Sequence, residues 1–312
     1  MHLLGFIIRR VLQTLPTIAF ILVVTFVLVR LLPGDPASAM LGDRAIDRDV
    51  ERINAQLGLD RSIPVQFLYF TRAVLTGELG DSIGLKLPVI DLILARLPVT
   101  LMLTGMAALI ALLLAVPLAF VAALNRHRAP DSVIRGVFQV GLSMPVFYVG
   151  LVLLTVFAAK LRWFPVGGYG DNFLDNLYHL FLPAMTLALS LAAVLMRNLR
   201  ASIIGVIGSD YVDFARAKGL KSRVIMVRHV LRNALISTVT LFGLSIGTLL
   251  GGAVITETVF AIPGAGRLMI ESIYGRDYPV IQGLTIALAV LVSLTFLVTD
   301  IVLAWLDPRV AQ

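Results

Sequence analysis

The run VTLMLTGMAALIALLLAVPLAFVAAL, residues 99–124, contains no Asp, Glu, Lys or Arg. A helix needs about 20 consecutive apolar residues to cross a bilayer core, because each backbone amide must be satisfied within its own segment. This run is long enough, and it sets the fold class as an all-α membrane protein. Five more stretches are equally free of charge: Val11 to Val29, Gly136 to Ala159, Leu177 to Met196, Asn233 to Thr256 and Tyr278 to Thr299. About six transmembrane helices are therefore expected. Composition agrees, since 58% of the 312 residues are hydrophobic and 14% are charged, against roughly a quarter charged in a soluble domain. With no cysteine, neither a disulfide framework nor a thiolate site is available.

The net charge of +7 is distributed as a membrane protein requires, not as a nucleic-acid surface. With the N-terminus inside, segments 1–10, 125–135, 197–232 and 300–312 hold 14 Lys/Arg, and the short outside loops 160–176 and 257–277 hold 4. The excess of basic residues places both termini in the cytoplasm. A cleaved signal peptide is the competing reading of Arg9-Arg10 and Ala37-Ser38-Ala39, but the first apolar run exceeds an h-region of about 7–15 residues.

Three parts follow: an N-terminal transmembrane helix, 1–31; an external helical loop, 32–97; and a five-helix membrane domain, 98–306. The external loop opens with Leu32-Pro33-Gly34-Asp35-Pro36, a turn that ends the first helix. Asp47 suits the start of a short helix through Leu57, Ser62 with Pro64 another through Leu75, and Pro88 a third through Leu97. Such a cap serves either as a structural lid or as a docking surface for an external partner.

The inside segment 197–232, RNLRASIIGVIGSDYVDFARAKGLKSRVIMVRHVLR, is the most informative stretch. Ser209 with Asp210 and Asp213 forms a helix start, where a hydroxyl cap and early carboxylates suit orphan amides and the helix dipole. Arg216 and Lys218 suit the opposite end, and Gly219 supplies a left-handed stop. One short helix, 210–218, is thus presented to the cytoplasm, and Ser222 begins another that runs into the fifth span. The short helix either rests on anionic headgroups, at about 1 kcal/mol per basic residue, or plugs into a cytoplasmic partner.

Chemistry is sparse elsewhere. There is no Gly-x-x-x-x-Gly-Lys-Ser/Thr phosphate cradle and no Gly-x-Ser-x-Gly nucleophile elbow. His2, His127, His179 and His229 do not recur at metal-ligand spacing. No catalytic, cofactor or metal site is expected, and the chain is not expected to be an enzyme. The spans hold no ionisable relay of the kind an ion-coupled transporter uses, and Glu257 and Asp300 read as solvated boundary residues. Gly243, Gly247 and Gly251 form a smooth stripe for close helix approach, either within the chain, against a second subunit or along a pathway. Pro145 and Pro183 interrupt the third and fourth spans.

In this order, the motifs resemble the permease subunits of bacterial ABC importers of the dipeptide, oligopeptide and nickel type. The resemblance runs through Arg30-Leu-Leu-Pro-Gly-Asp-Pro36, Leu57-Gly-Leu-Asp60, Gly77-Glu-Leu-Gly80 with Ser82, and Pro165-Val-Gly-Gly-Tyr169. It continues through Asp210-Tyr211, Ala215-Arg216-Ala217-Lys218-Gly219, Glu257-Thr258-Val259-Phe260 and Arg276-Asp277-Tyr278-Pro279. It implies a type I importer permease fold in the bacterial inner membrane, with 197–232 as the so-called EAA loop. Asp213 stands where the general motif has Glu, Phe214 replaces its first Ala, Ala215 matches its second and Gly219 its Gly. The ATPase-coupling residues so implied are Asp210, Tyr211, Asp213, Phe214, Ala215, Lys218 and Gly219. The implied partners are a second, homologous permease, two ATPase subunits that carry ATP and Mg, and an external substrate-binding protein. The alternatives are an ion-coupled secondary transporter or channel, and a membrane scaffold.

Overall fold

A computed structural model describes residues 2–31 and 61–306. The expected turn at Leu32–Pro36, the tripeptide Ala37-Ser38-Ala39 and the helix from Asp47 to Leu57 lie outside the described residues. The elements are α1 (His2–Leu31), α2 (Ile63–Thr76), α3 (Val89–Leu124), α4 (Ala129–Ser143) and α5 (Val146–Lys160). They continue with α6 (Phe173–Ile207), α7 (Asp210–Ala217), α8 (Ser222–Val259), α9 (Ala265–Tyr274) and α10 (Tyr278–Leu306). Among the described residues, α1, α3, α6, α8 and α10 are long and apolar enough to cross a membrane, and the bent pair α4–α5 makes a sixth if taken as one span.

Helices α3 and α6 form the most extensive contact in the bundle. The reason lies in side-chain size: Ala107, Ala111, Ala115 and Ala119 recur every four residues of α3, and all are 0% exposed. Residues four apart share a helix face, and a face of methyl groups lets two backbones approach closely. Ala184, Ala188 and Ala192 of α6 belong to the same buried cluster.

One expectation is modified. Pro88 does not start a separate external helix ending at Leu97, because α3 runs unbroken through Pro98. A proline removes one backbone bond, but Leu92, Ile93, Val99, Thr100 and Leu103 continue a single buried face past it. The interruption expected in the third span at Pro145 is present. Met144 is extended at φ −93 and ψ 135, as the residue before a proline prefers, and α4 and α5 meet across Pro145 at 107°. Pro183, by contrast, lies inside a continuous α6.

Helix α2 begins after Ser62 with Pro64 in its first turn and stops at left-handed Gly77, φ 76. Its Phe67 and Phe70 bracket Phe26 of α1, with ring centroids 5.2 and 5.7 Å away. The first and last helices are joined by Arg10 Nε and Asp300 Oδ2 at 3.3 Å, so Asp300 is an ion-paired residue as well as a boundary one.

Candidate functional site

Helix α7 hangs from the end of α6 on a two-residue link. Its first turn holds Asp210 and Asp213, which complement the positive end of the helix dipole. Ser209 does not cap with its hydroxyl. That group donates to the Val206 carbonyl at 2.6 Å, satisfying an orphan acceptor at the end of α6. The start of α7 is instead closed by the Ser209 backbone carbonyl, which accepts from Val212 N at 3.0 Å.

The other end stops as the glycine predicts. Gly219 sits at φ 74, Leu220 N donates to Ala215 O at 3.3 Å and Gly219 N to Arg216 O at 2.9 Å. This nested pair is a Schellman turn, which requires a left-handed residue at the glycine. Lys218 is the C-cap, so the helix ends one residue earlier than expected.

The short helix has two faces. Val212 is 0% and Ala215 is 6% exposed, and both belong to the main buried cluster with Ile203, Ile225 and Val230. Phe214 is 69% exposed on the other side, with Tyr211 at 42%. Tyr211 Oη accepts from Asn233 Nδ2 at 3.1 Å, and the same amide donates to His229 O at 2.7 Å. These bonds brace α7 against the first turns of α8, where Ile225–Leu231 is wound as a π-helix. Asp213 pairs with Arg216 at 3.0 Å, an exposed contact that adds little stability. Asp210 and Lys218 are exposed.

The glycine stripe divides. A Cβ on Gly243 would overlap the Thr299 side chain of α10, one on Gly247 would make ordinary contact with Val292, and one on Gly251 would meet nothing within 4 Å. Gly243 is therefore a packing position within the chain, and Gly251 is not.

At the other end of the bundle, Glu257 corrects the expectation of a solvated boundary residue. It is 0% exposed. Its Oε1 accepts from Thr100 Oγ1 at 2.5 Å and its Oε2 from Arg267 N at 2.9 Å, while Thr100 Oγ1 accepts from Ala265 N at 2.8 Å. The carboxylate thus serves as a remote cap for α9, and glycines 264 and 266 leave the room it occupies. Nearby, Asp277 Oδ2 accepts from Ser82 Oγ at 2.5 Å and Gly84 N at 3.0 Å. Gly168 N donates to the carbonyl of fully buried Phe260 at 3.0 Å. No local pattern announces these pairs, because the partners of Glu257 and Asp277 lie 157 and 195 residues away in sequence. Among the described residues, no three His, Asp or Glu side chains are grouped to hold a metal ion.

A bundle of uncharged crossings that displays a short rooted helix at one end and ties its loops into a cap at the other is, in class, a membrane permease. Family models agree: "Binding-protein-dependent transport system inner membrane component" matches residues 115–312, and the N-terminal model of the same membrane component matches residues 3–104. The chain belongs to this family, and is a permease subunit of an ABC importer of the inner membrane. It is 38% identical to the oligopeptide transport system permease protein AppB of Bacillus subtilis (strain 168), over 98% of this chain and 99% of that one. It is 37% identical to the glutathione transport system permease protein GsiC of Escherichia coli (strain K12), over 99% of each. The inward-facing MetNI methionine ABC transporter matches 69% of this chain and 96% of its own at a TM-score of 0.59 and 16% identity. That likeness concerns the fold alone.

Proposed function

We propose that this chain forms half of the passage of an ATP-driven importer for peptides or similar small solutes, and that α7 is where a separate ATPase subunit drives it. The observation that carries this reading is the pairing of exposed Phe214 with buried Val212 and Ala215 on one short helix. A helix used only as a linker would have no reason to present its largest apolar side chain while rooting its small ones. An exposed aromatic that fits a partner's groove is the usual anchor of an interface. On this reading Tyr211, Asp213 and Lys218 surround the anchor, and Gly219 holds its angle. The termini and α7 face the cytoplasm, in keeping with the basic excess of the inside segments.

The complete assembly is this chain, a homologous second permease, two ATPase subunits that hold ATP and Mg, and an external binding protein. The division into helix 1–31, external loop 32–97 and membrane domain 98–306 holds on this reading except that residues 89–97 are the first turns of α3. Peptides are the substrate class because the relatives named for oligopeptide and glutathione transport match over nearly their whole length. The two carboxylates nearest the span ends are already engaged, Glu257 by Thr100 and the Arg267 amide and Asp300 by Arg10, which disfavours an ion-coupled mechanism.

The test is Phe214→Ala in the complete complex. The affinity for the ATPase subunits should fall by about thirtyfold, since an interface anchor typically contributes about 2 kcal/mol or more, and peptide uptake should fall with it while membrane insertion is unchanged. Retained ATPase binding and uptake would remove α7 as the coupling element. Uptake that persists without ATP while a proton gradient stands would point to the ion-coupled alternative.

A further inference from the structure

Near the start of α4, basic residues crowd a single carboxylate. Asp131 is 0% exposed and accepts from Arg200 Nε and Nη2 at 2.7 Å each, with Arg135 Nε at 3.3 Å. Arg126 and Arg197 line the same region and make no ion pair among the described residues. Two cavities of about 400 and 430 Å³ open there. Arg135 and Arg200 line both, Arg197 lines the first and Arg126 the second. Four guanidinium groups against one carboxylate leave three positive charges unanswered.

The first cavity shares one buried lining residue with an apolar cavity. Phe138 lines it and also lines a third cavity of about 520 Å³, walled by Val137, Gly141 and Met144. Along the outside of α4, Val133, Val137 and Val140 are 62%, 66% and 56% exposed. This is an i, i+4, i+7 stripe on a helix turned 107° from the one that follows it. An amphipathic helix with arginines at one end and a bare aliphatic face suits the boundary between headgroups and acyl chains.

From this arrangement we infer that the cleft between α4 and α6 seats one anionic phospholipid. The phosphate lies against Arg135, Arg197 and Arg200, and an acyl chain runs along the groove past Phe138 and Gly141. Charge selects the headgroup, since basic recesses between membrane helices attract anionic lipids. The adjoining groove selects a lipid over a free anion, because a soluble phosphate has no use for an aliphatic wall. Arg200 is committed to Asp131 and serves the fold as well, whereas Arg197 is exposed and Arg135, although it also reaches Asp131, is half exposed. The cavity lies about 10 Å along α6 from the link to α7, seven residues at 1.5 Å each, so its occupant would border the displayed helix.

The test uses the complete transporter purified into nanodiscs of phosphatidylcholine with or without phosphatidylglycerol, with retained lipid counted by native mass spectrometry. The expected result is selective retention of phosphatidylglycerol that falls about 25-fold in the double variant Arg135→Gln, Arg197→Gln, at roughly fivefold per basic residue, with assembly intact. Gly141→Trp fills the groove but spares the arginines. It should abolish lipid retention while leaving the response of the melting temperature to glycerol phosphate in place. Equal retention of both lipids, or retention indifferent to the arginines, would overturn the assignment. So would a phosphate-induced rise in the melting temperature of the parental protein that depends on the arginines while that protein retains no lipid. Displacement of phosphatidylglycerol by a substrate peptide would also overturn it, by assigning the cleft to the passage.

Discussion

Gly219 and Glu257 each hold a turn of chain that nothing else nearby would hold. At φ 74 a β-branched side chain meets its own carbonyl, at a cost of about 1–2 kcal/mol for the left-handed conformation. Gly219→Val should therefore leave insertion intact, tilt α7 and sharply reduce peptide uptake by the complete transporter, while ATP hydrolysis by the ATPase subunits continues. Uptake and ATP turnover that both stay at the parental level would show that the turn does not set coupling. Glu257 belongs to a different problem, since it is buried with three donors arranged around it and Thr100. Removing a buried acceptor strands each donor at about 1–3 kcal/mol. Glu257→Ala should lower the unfolding midpoint in detergent clearly more than Glu257→Gln, which keeps one acceptor oxygen. An equal midpoint for the two variants would rule out the capping role.

Among the elements, the seam between α3 and α6 makes the sharpest prediction. Ala115 is fully buried and Leu113, two residues away, is 64% exposed. Ala115→Leu forces three extra heavy atoms into a closed seam, at about 1–3 kcal/mol or more, and should depress the unfolding midpoint, whereas Leu113→Ala should barely move it. The period of four alanines was open to the reasoning that found Gly243, Gly247 and Gly251, since both stripes follow the same small-residue rule. Other elements were legible for local reasons. Uncharged length marks the crossings, Ser62 with Pro64 marks α2, Gly219 marks the end of α7, and Pro145 marks the break between α4 and α5. What escaped was decided at a distance. The helix through Pro98 is held by packing on both sides of the proline, the Ser209 hydroxyl turns back to α6, and the partner of Glu257 is on another helix.

Over the whole molecule, segments far apart in sequence are tied into one cap at the end of the bundle away from α7. Ser82 and Gly84 reach Asp277 at the start of α10, and Lys86 is exposed at the tip of that connection. Asp277→Ala should free the loop without unfolding the bundle, because loops held by few bonds open locally. Limited trypsin digestion should then cut after Lys86 much faster than in the parent while the melting temperature changes little. Unchanged cleavage would show that the loop is held by its own turn.

Helix α6 is 35 residues long, about 52 Å at 1.5 Å per residue. At one end Val212 fastens α7 into the buried cluster, and toward the other Phe181 stacks on Phe164 at 5.0 Å. Between the two ends lies the alanine seam, so α6 has the form of a lever with its fulcrum inside the bundle. A stiff arm transmits angle. A push of about 5 Å on one tip, at the end of an arm of roughly 28 Å, turns the rod by about 10°, and the opposite tip swings the other way. Closing the side that carries α7 and parting the side that carries the cap would then be a single movement.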